Sequence, residues 1–254
     1  MTLFFREVGS GQPVIILHGL FGSSDNWLTI AKELAADYRI ILPDLRNHGQ
    51  SFHDESFDYQ SMSADLLSFI EENSIADPVI LGHSLGGKVA MTFAVNNQSM
   101  LQKLVVVDIG PKAYPVQHQK ILEGLNSLDF GILKSRKEAD EMLSRHVGEA
   151  GIRQFLLKNL SRNGEGEFRW RLNLPAITRE IENVGEPLAT GNTFSKPSLF
   201  IRGSRSDYIE NEDLPLVNQI FPDNHLVTIK DAGHWVHAEK PVEFISTVRM
   251  FLGQ

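Results

Sequence analysis

The stretch VILGHSLGG, residues 79–87, places a serine among closely spaced glycines. If a strand turns sharply into a helix at Ser84, side chains two residues before and after it would clash, and Gly82 and Gly86 remove them. The serine hydroxyl would then stand at the top of a sheet, and the Leu85 N–H at the helix start could face negative charge on an attacked carbonyl. The stretch therefore predicts nucleophilic catalysis by Ser84.

A second glycine-containing loop, LHGLFGS at residues 17–23, follows another apolar run. It could present a second backbone N–H, and we expect Leu20 to be that donor. Two donors facing one oxygen would form an oxyanion hole, and loss of one such donor costs on the order of 3 kcal/mol in a serine hydrolase. We interpret His18 as a structural residue that braces this loop by hydrogen bonds.

The stretch DAGHWVHAEKP, residues 231–241, contains the histidine that we expect to activate the serine. His234 follows an apolar run and comes last in the chain, as the order Ser, acid, His requires. An ordinary imidazole can accept the serine proton at neutral pH. We interpret His237 as a supporting or helix-start residue, and we expect His83 to point away from the serine by strand alternation.

Seven short apolar runs could supply the strands that carry these loops. Most are apolar on consecutive residues, which is typical of parallel strands covered on both faces. Helical periodicity separates them, so the sequence predicts an α/β fold with crossover helices. The runs are 3–5, 13–19, 38–44, 78–84, 103–110, 197–204 and 225–234.

Residues 112–190 interrupt this alternation, because no convincing strand occurs there and apolar residues recur at helical spacing. We interpret this segment, called the insertion below, as a helical cap over the strand ends, with a side layer as the alternative. The core domain would then comprise residues 1–111 and 191–254. Four aromatic residues of the insertion could line an acyl pocket or simply pack in a core: Phe130, Phe155, Phe168 and Trp170.

The motifs HGLFGS, DLRNHGQS, GHSLGG and AGHWVHAEKP, in register over nearly the whole chain, resemble the α/β-hydrolase superfamily, and within it small bacterial esterases of the YbfF type. The resemblance implies a mostly parallel, eight-stranded sheet flanked by helices, with a helical cap inserted after the sixth strand. It implies Ser84 as nucleophile, His234 as base, and the amides of Leu20 and Leu85 as oxyanion hole. We interpret Arg46 and His48 of DLRNHGQS as loop scaffolding.

Two aspartates compete as the acid that would hold His234. Asp207 follows the strand where most of the superfamily places the acid, but the usual G-x-x-D spacing puts Ser206 at that position. Asp108 ends the strand beside the nucleophile strand, and the YbfF-type resemblance favours it. We therefore expect Asp108 to be the acid, with Asp207 as the alternative.

Composition argues against several classes of function. The 254-residue chain carries a net charge of −8, which argues against sequence-independent nucleic-acid binding. It has no cysteine, no run of 18 apolar residues and no secretory signal pattern, so we expect a cytoplasmic protein that does not span a membrane. His234 and His237 lack an acidic third ligand at a suitable spacing, and no phosphate-binding motif is present, so neither metal nor cofactor is expected.

The sequence thus predicts a serine hydrolase that cleaves small carboxylic esters or thioesters through an acyl-enzyme. A C–C bond hydrolase or lyase, a perhydrolase, or a ligand sensor that retains the triad remain as alternatives. The oligomeric state is left open.

Overall fold

All seven apolar runs contribute strands to one sheet in the computed structural model, which describes residues 2–189 and 191–253. The strands of this sheet are β1 Phe5–Val8, β2 Pro13–Leu17, β3 Arg39–Pro43, β4 Val79–His83, β5 Lys103–Val107, β8 Ser198–Gly203 and β9 Asn224–Ile229. Their order in the sheet is β1-β3-β2-β4-β5-β8-β9. β1 pairs with β3 in antiparallel fashion, and the remaining pairs are parallel.

The mostly parallel α/β fold is confirmed, but two details of the expected topology are wrong. The described residues form a seven-stranded sheet, not an eight-stranded one, and the insertion follows the fifth strand rather than the sixth. The count of eight came from the family resemblance. The chain itself has only seven apolar runs, and a single short run precedes β2.

Buried side chains cover both faces of the sheet. Along β2, Ile15 and Leu17 belong to one apolar cluster, whereas Val14 and Ile16 belong to the other. This division explains why the strands are apolar on consecutive residues, since alternate side chains enter different cores. The helices are α1 Leu28–Leu34, α2 Tyr59–Glu72, α3 Leu85–Asn96, α4 Gln119–Asn126, α5 Arg136–Leu143, α6 Ala150–Leu157, α7 Leu174–Arg179, α8 Leu214–Ile220, α9 Val236–Glu239 and α10 Pro241–Leu252.

The insertion contains α4 to α7 and also two short strands that the sequence did not predict. β6, Leu160–Arg162, and β7, Phe168–Trp170, form an antiparallel pair. Each strand has only three residues and includes an arginine, so neither reads as an apolar run. The predicted boundary at residue 190, like terminal residues 1 and 254, lies outside the described residues.

One buried lysine joins the two ends of the insertion to the core. The Lys88 side chain on α3 is fully buried, and its Nζ donates to the carbonyl of Lys112 at 2.6 Å and to that of Glu186 at 2.8 Å. These carbonyls belong to the segments by which the chain enters and leaves the insertion. Within the described ranges, no helix has the length and apolar character needed to cross a membrane.

Candidate active site

Ser84 lies at the tight turn between β4 and α3. Its backbone has φ 53° and ψ −119°, a conformation that L-residues rarely adopt. A Cβ atom at Gly82 would overlap the Gly86 carbonyl, and one at Gly86 would overlap the carbonyls of Leu17 and His18. The two glycines therefore allow the close backbone approach that a sharp strand-to-helix turn requires.

His234, in the turn after β9, is joined to Asp108 at the end of β5. The distance from His234 Nδ1 to Asp108 Oδ2 is 2.8 Å, and the carboxylate is fully buried. A carboxylate can only accept, so Nδ1 carries the proton and Nε2 of a neutral ring has a free lone pair. The structure thus brings His234 together with Asp108, the acid that the sequence analysis preferred.

The Asp108 carboxylate accepts two further hydrogen bonds from the segment after β8. Gly203 N–H donates to Oδ1 at 3.0 Å, and the Ser206 hydroxyl donates to Oδ2 at 2.5 Å. Ser206 occupies the position where G-x-x-D would place an acid, while Asp207 is exposed on the cavity wall. Sequence reasoning missed Ser206 as an Asp108 partner, although a hydroxyl at that spacing was the available signal.

Two buried histidines hold the loop that carries Leu20. His18 Nε2 accepts from Leu45 N–H at 3.0 Å, and His48 Nε2 accepts from Phe21 N–H at 3.1 Å. Burial lowers the pKa of His18. Burial, followed by the repulsion that a protonated His18 would exert, lowers the pKa of His48 to about 3. Both rings therefore stay neutral near pH 7, as an accepting Nε2 requires, and both act as the scaffolding expected from the sequence.

The insertion also contacts this loop. The buried Asn159 side chain donates from Nδ2 to the Phe21 carbonyl at 2.7 Å and to the Leu156 carbonyl at 3.1 Å. Phe21 has φ 59°, in the left-handed region that disfavours residues with a side chain. The backbone next to Leu20 is thus fixed by His48 from the core and by Asn159 from the insertion.

One cavity of about 500 Å³ brings the predicted site residues together, since Ser84, His234, Leu20 and Leu85 all line it. Leu85 is the first residue of α3, so its N–H has no carbonyl partner inside that helix. The positive end of the helix dipole adds to the preference of this position for negative charge. The arrangement places a serine, a histidine and the start of a helix around one space.

Other rings pack around His234. Tyr208 stacks on it at a centroid distance of 4.1 Å, and His83 Nε2 donates to its carbonyl at 2.9 Å. Burial, followed by the charges of His234 and His237, holds the pKa of His83 well below its usual value. His83 and Ser84 both line the cavity. His237 stacks on Trp27 at 4.0 Å.

The wall contributed by the insertion is largely apolar. Of the four aromatic residues considered for an acyl pocket, Phe155 lines the cavity. Phe130 and Trp170 instead pack edge to face at 5.7 Å, and Phe168 lies buried beneath Arg162. In residues 2–189 and 191–253, no three His, Asp or Glu side chains are grouped so that they could hold a metal ion.

Comparisons with known proteins agree with this architecture. Residues 12–241 match the family model described as alpha/beta hydrolase fold. The chain is 38% identical over 256 residues to the sn-1-specific diacylglycerol lipase ABHD11 of Danio rerio, covering 98% of this chain and 80% of the relative. It is 34% identical over 246 residues to Esterase YbfF of Escherichia coli strain K12, covering 96% and 94% respectively. A solved marine microorganism esterase shares 44% identity with a TM-score of 0.95, covering 98% of this chain and 99% of that one.

Proposed function

The chain belongs to the α/β-hydrolase fold family and is an ester-cleaving hydrolase, and from this premise we propose that it works through a Ser84–His234–Asp108 triad and an acyl-enzyme. The proposed substrates are carboxylic esters, or thioesters, of small acyl groups. The observation that carries the proposal is the 2.8 Å hydrogen bond between His234 and Asp108, which leaves Nε2 free in a cavity shared with Ser84.

In the first half of the proposed reaction, Ser84 Oγ attacks the ester carbonyl carbon while His234 Nε2 accepts the hydroxyl proton. The carbonyl oxygen becomes negatively charged, and the N–H groups of Leu20 and Leu85 stabilise it. As the tetrahedral intermediate collapses, His234 returns the proton to the leaving alcohol or thiol. The acyl group then remains on Ser84 as an ester.

In the second half, water repeats the attack on the acyl-enzyme. His234 accepts a proton from the water, the same two N–H groups bind the oxyanion, and the proton returns to Ser84 as the acid product leaves. Asp108 keeps its negative charge throughout and stabilises the imidazolium that forms twice in each cycle. The reaction involves no oxidation or reduction, so the proposed triad and the two N–H groups account for both half-reactions.

We assign the insertion, residues 112–190, the role of a cap on a core of residues 1–111 and 191–254. Its Phe155 and neighbouring apolar residues line the same cavity as Ser84 and His234 of the core. An apolar wall and a volume of about 500 Å³ suit short to medium acyl chains. The charged side chains on this wall are few, and Lys112 is already paired with Asp213 at 2.8 Å.

The test is hydrolysis of a p-nitrophenyl ester series of rising acyl length by the native chain and by Ser84→Ala. We expect steady turnover of short and medium esters by the native chain and loss of at least about 10³-fold in Ser84→Ala. Ser68→Ala is the matched control, because Ser68 is an exposed serine on α2 whose hydroxyl donates to the Ala64 carbonyl of the same helix. Turnover that persists in Ser84→Ala would contradict the proposal, and single-turnover trapping of ligand would indicate a sensor instead.

A further inference from the structure

Several polar groups that line the cavity already have partners within the protein. The Tyr59 hydroxyl donates to the Val184 carbonyl at 2.7 Å, and the Tyr114 hydroxyl donates to the Tyr208 carbonyl at 2.5 Å. His83 donates to the His234 carbonyl. The protons of these groups are therefore already used, and none can be donated to a substrate without breaking a bond within the protein.

His118, in the insertion directly before α4, differs from them. It lines the cavity, and its Nδ1 is buried with no hydrogen-bond partner in the described part of the chain. Its ring meets the Phe21 ring edge to face at a centroid distance of 6.2 Å. His118 thus lies beside the loop that carries Leu20, yet the proposed reaction gives it no role.

The protonation of His118 follows from its surroundings. Burial, and then the charge of His234, lower the pKa of His118, so the ring is neutral near pH 7 and carries one N–H. A buried N–H without an acceptor is rarer, and less favourable, than a bare ring nitrogen without a donor. The proton therefore belongs on Nε2, and Nδ1 is the bare nitrogen inside the protein.

We propose that His118 is a substrate-binding residue whose Nε2–H donates a hydrogen bond to an oxygen atom of the ester substrate outside the scissile group. The substrate class is then esters with an ether, hydroxyl or second carbonyl oxygen in the acyl or alcohol part. This inference rests on the proposed ester hydrolysis, and it adds a specificity determinant on the insertion to the triad on the core.

The experiment uses two pairs of esters that differ only by a CH₂ group replaced with an ether oxygen. Butyl butyrate and 2-methoxyethyl butyrate place the change in the alcohol part, and methyl pentanoate and methyl 3-methoxypropanoate place it in the acyl part. Hydrolysis is followed by acid release in a pH-stat. For each pair, we take the ratio of kcat/KM for the ether ester to kcat/KM for the plain ester. This ratio is compared between the native chain and the His118 variants, because any effect of a variant that is equal for both esters cancels.

In at least one pair, we expect His118→Leu to lower this ratio by about threefold to tenfold, the effect of one neutral hydrogen bond. His118→Gln places an amide N–H near the Nε2 position and should retain the ratio, whereas His118→Asn places it near Nδ1 and should not. This pair of polar variants keeps the test valid if the leucine variant folds poorly. Gln119→Leu, an exposed neighbour, is the control that should leave the ratio unchanged.

If His118→Leu leaves the ratio unchanged for both pairs of esters, the proposal is overturned. It is also overturned if His118→Asn retains the native ratio and His118→Gln lowers it. Binding of the same esters to Ser84→Ala and to the Ser84→Ala, His118→Leu double variant, measured calorimetrically, needs no turnover. If the native chain hydrolyses none of the esters, the proposed function fails. The binding difference between the two variants would still decide the role of His118.

Discussion

Replacement of Asp108 by asparagine should nearly abolish turnover, whereas the same change at Asp207 should not. Asp108 Oδ1 accepts from Gly203, and Oδ2 accepts from both Ser206 and His234. An asparagine has one oxygen and one NH₂ group for these three donors. Whichever way its amide turns, at least one donor of the wild-type site faces another donor.

The two orientations of the introduced amide fail for different reasons. With its oxygen toward Gly203, the NH₂ group faces His234 Nδ1, which must then accept, so Nε2 carries the proton and cannot act as base. With its oxygen toward His234, the NH₂ group faces the buried Gly203 N–H, at a cost of roughly 1–3 kcal/mol. That cost alone makes this second orientation, which leaves Nε2 able to act as base, about 5- to 150-fold less populated than the first.

Loss of the carboxylate charge adds to this effect, because the His234 imidazolium loses its counter-ion. In the general serine-protease template, the corresponding substitution lowers kcat by about 10⁴-fold, mainly through the wrong tautomer. We therefore expect kcat of Asp108→Asn to fall by about 10³- to 10⁴-fold, with a smaller change in KM. Asp207→Asn should change kcat by less than about twofold.

The assay is steady-state hydrolysis of a p-nitrophenyl ester, with active sites counted from the pre-steady-state burst. Thermal unfolding of each variant separates a misfolded chain from a folded but slow one. The reasoning is refuted if Asp108→Asn keeps more than about a tenth of the native kcat while Asp207→Asn loses activity. That result would mean that His234 changes its partner before the chemical step.

Three further substitutions probe the turn, the loop and the lysine. Gly86→Ala should destabilise the fold by about 1–3 kcal/mol in urea denaturation, because its Cβ would overlap the carbonyls of Leu17 and His18; Gly148→Ala, with open space around it, is the control and should change little. Asn159→Ala removes the donor to the Phe21 carbonyl and should lower kcat by about tenfold with little change in KM; an equal rise in KM would indicate a general disturbance of the pocket. Burial lowers the Lys88 pKa to about 7. Between pH 7 and 10, the unfolded chain therefore binds more protons at Lys88 than the folded chain does. The free energy of unfolding should rise with pH in this range, by up to about 1.4 kcal/mol per pH unit. Lys88→Met should remove that contribution, and an identical pH slope in urea denaturation of the native chain and the Lys88→Met variant would contradict it.

Local sequence signals predicted the strands and the sharp turn at Ser84 well, because each depends on neighbouring residues. The consecutive apolar runs gave the seven strands, and the spacing of Gly82 and Gly86 around Ser84 gave the turn. The hydrogen bond from Ser206 to Asp108 was not predicted, because the two residues lie 98 residues apart and meet only when β5 and β8 pair. No periodicity carries that information.

The aromatic residues of the insertion show a second limit of sequence reasoning. Their spacing indicates helical or apolar faces but not which face meets which neighbour. Phe155 reaches the cavity, whereas Trp170 turns its indole N–H to the Leu125 carbonyl at 3.2 Å and packs on Phe130 inside the insertion. The outcome depends on tertiary packing among short elements, which composition does not determine.

The neutral histidines around the site support the proposal that one imidazole, that of His234, works as the base. His18 and His48 hold the loop of Leu20 through accepting Nε2 atoms, and protonation of either would place two donors face to face. Burial lowers the pKa of both rings, to about 3 for His48, so both are unprotonated near neutral pH. His234 differs because its Nδ1 donates to a carboxylate, which stabilises the ring when it becomes positive. In the proposed reaction, the proton taken from Ser84 therefore goes to the one ring that has a counter-ion.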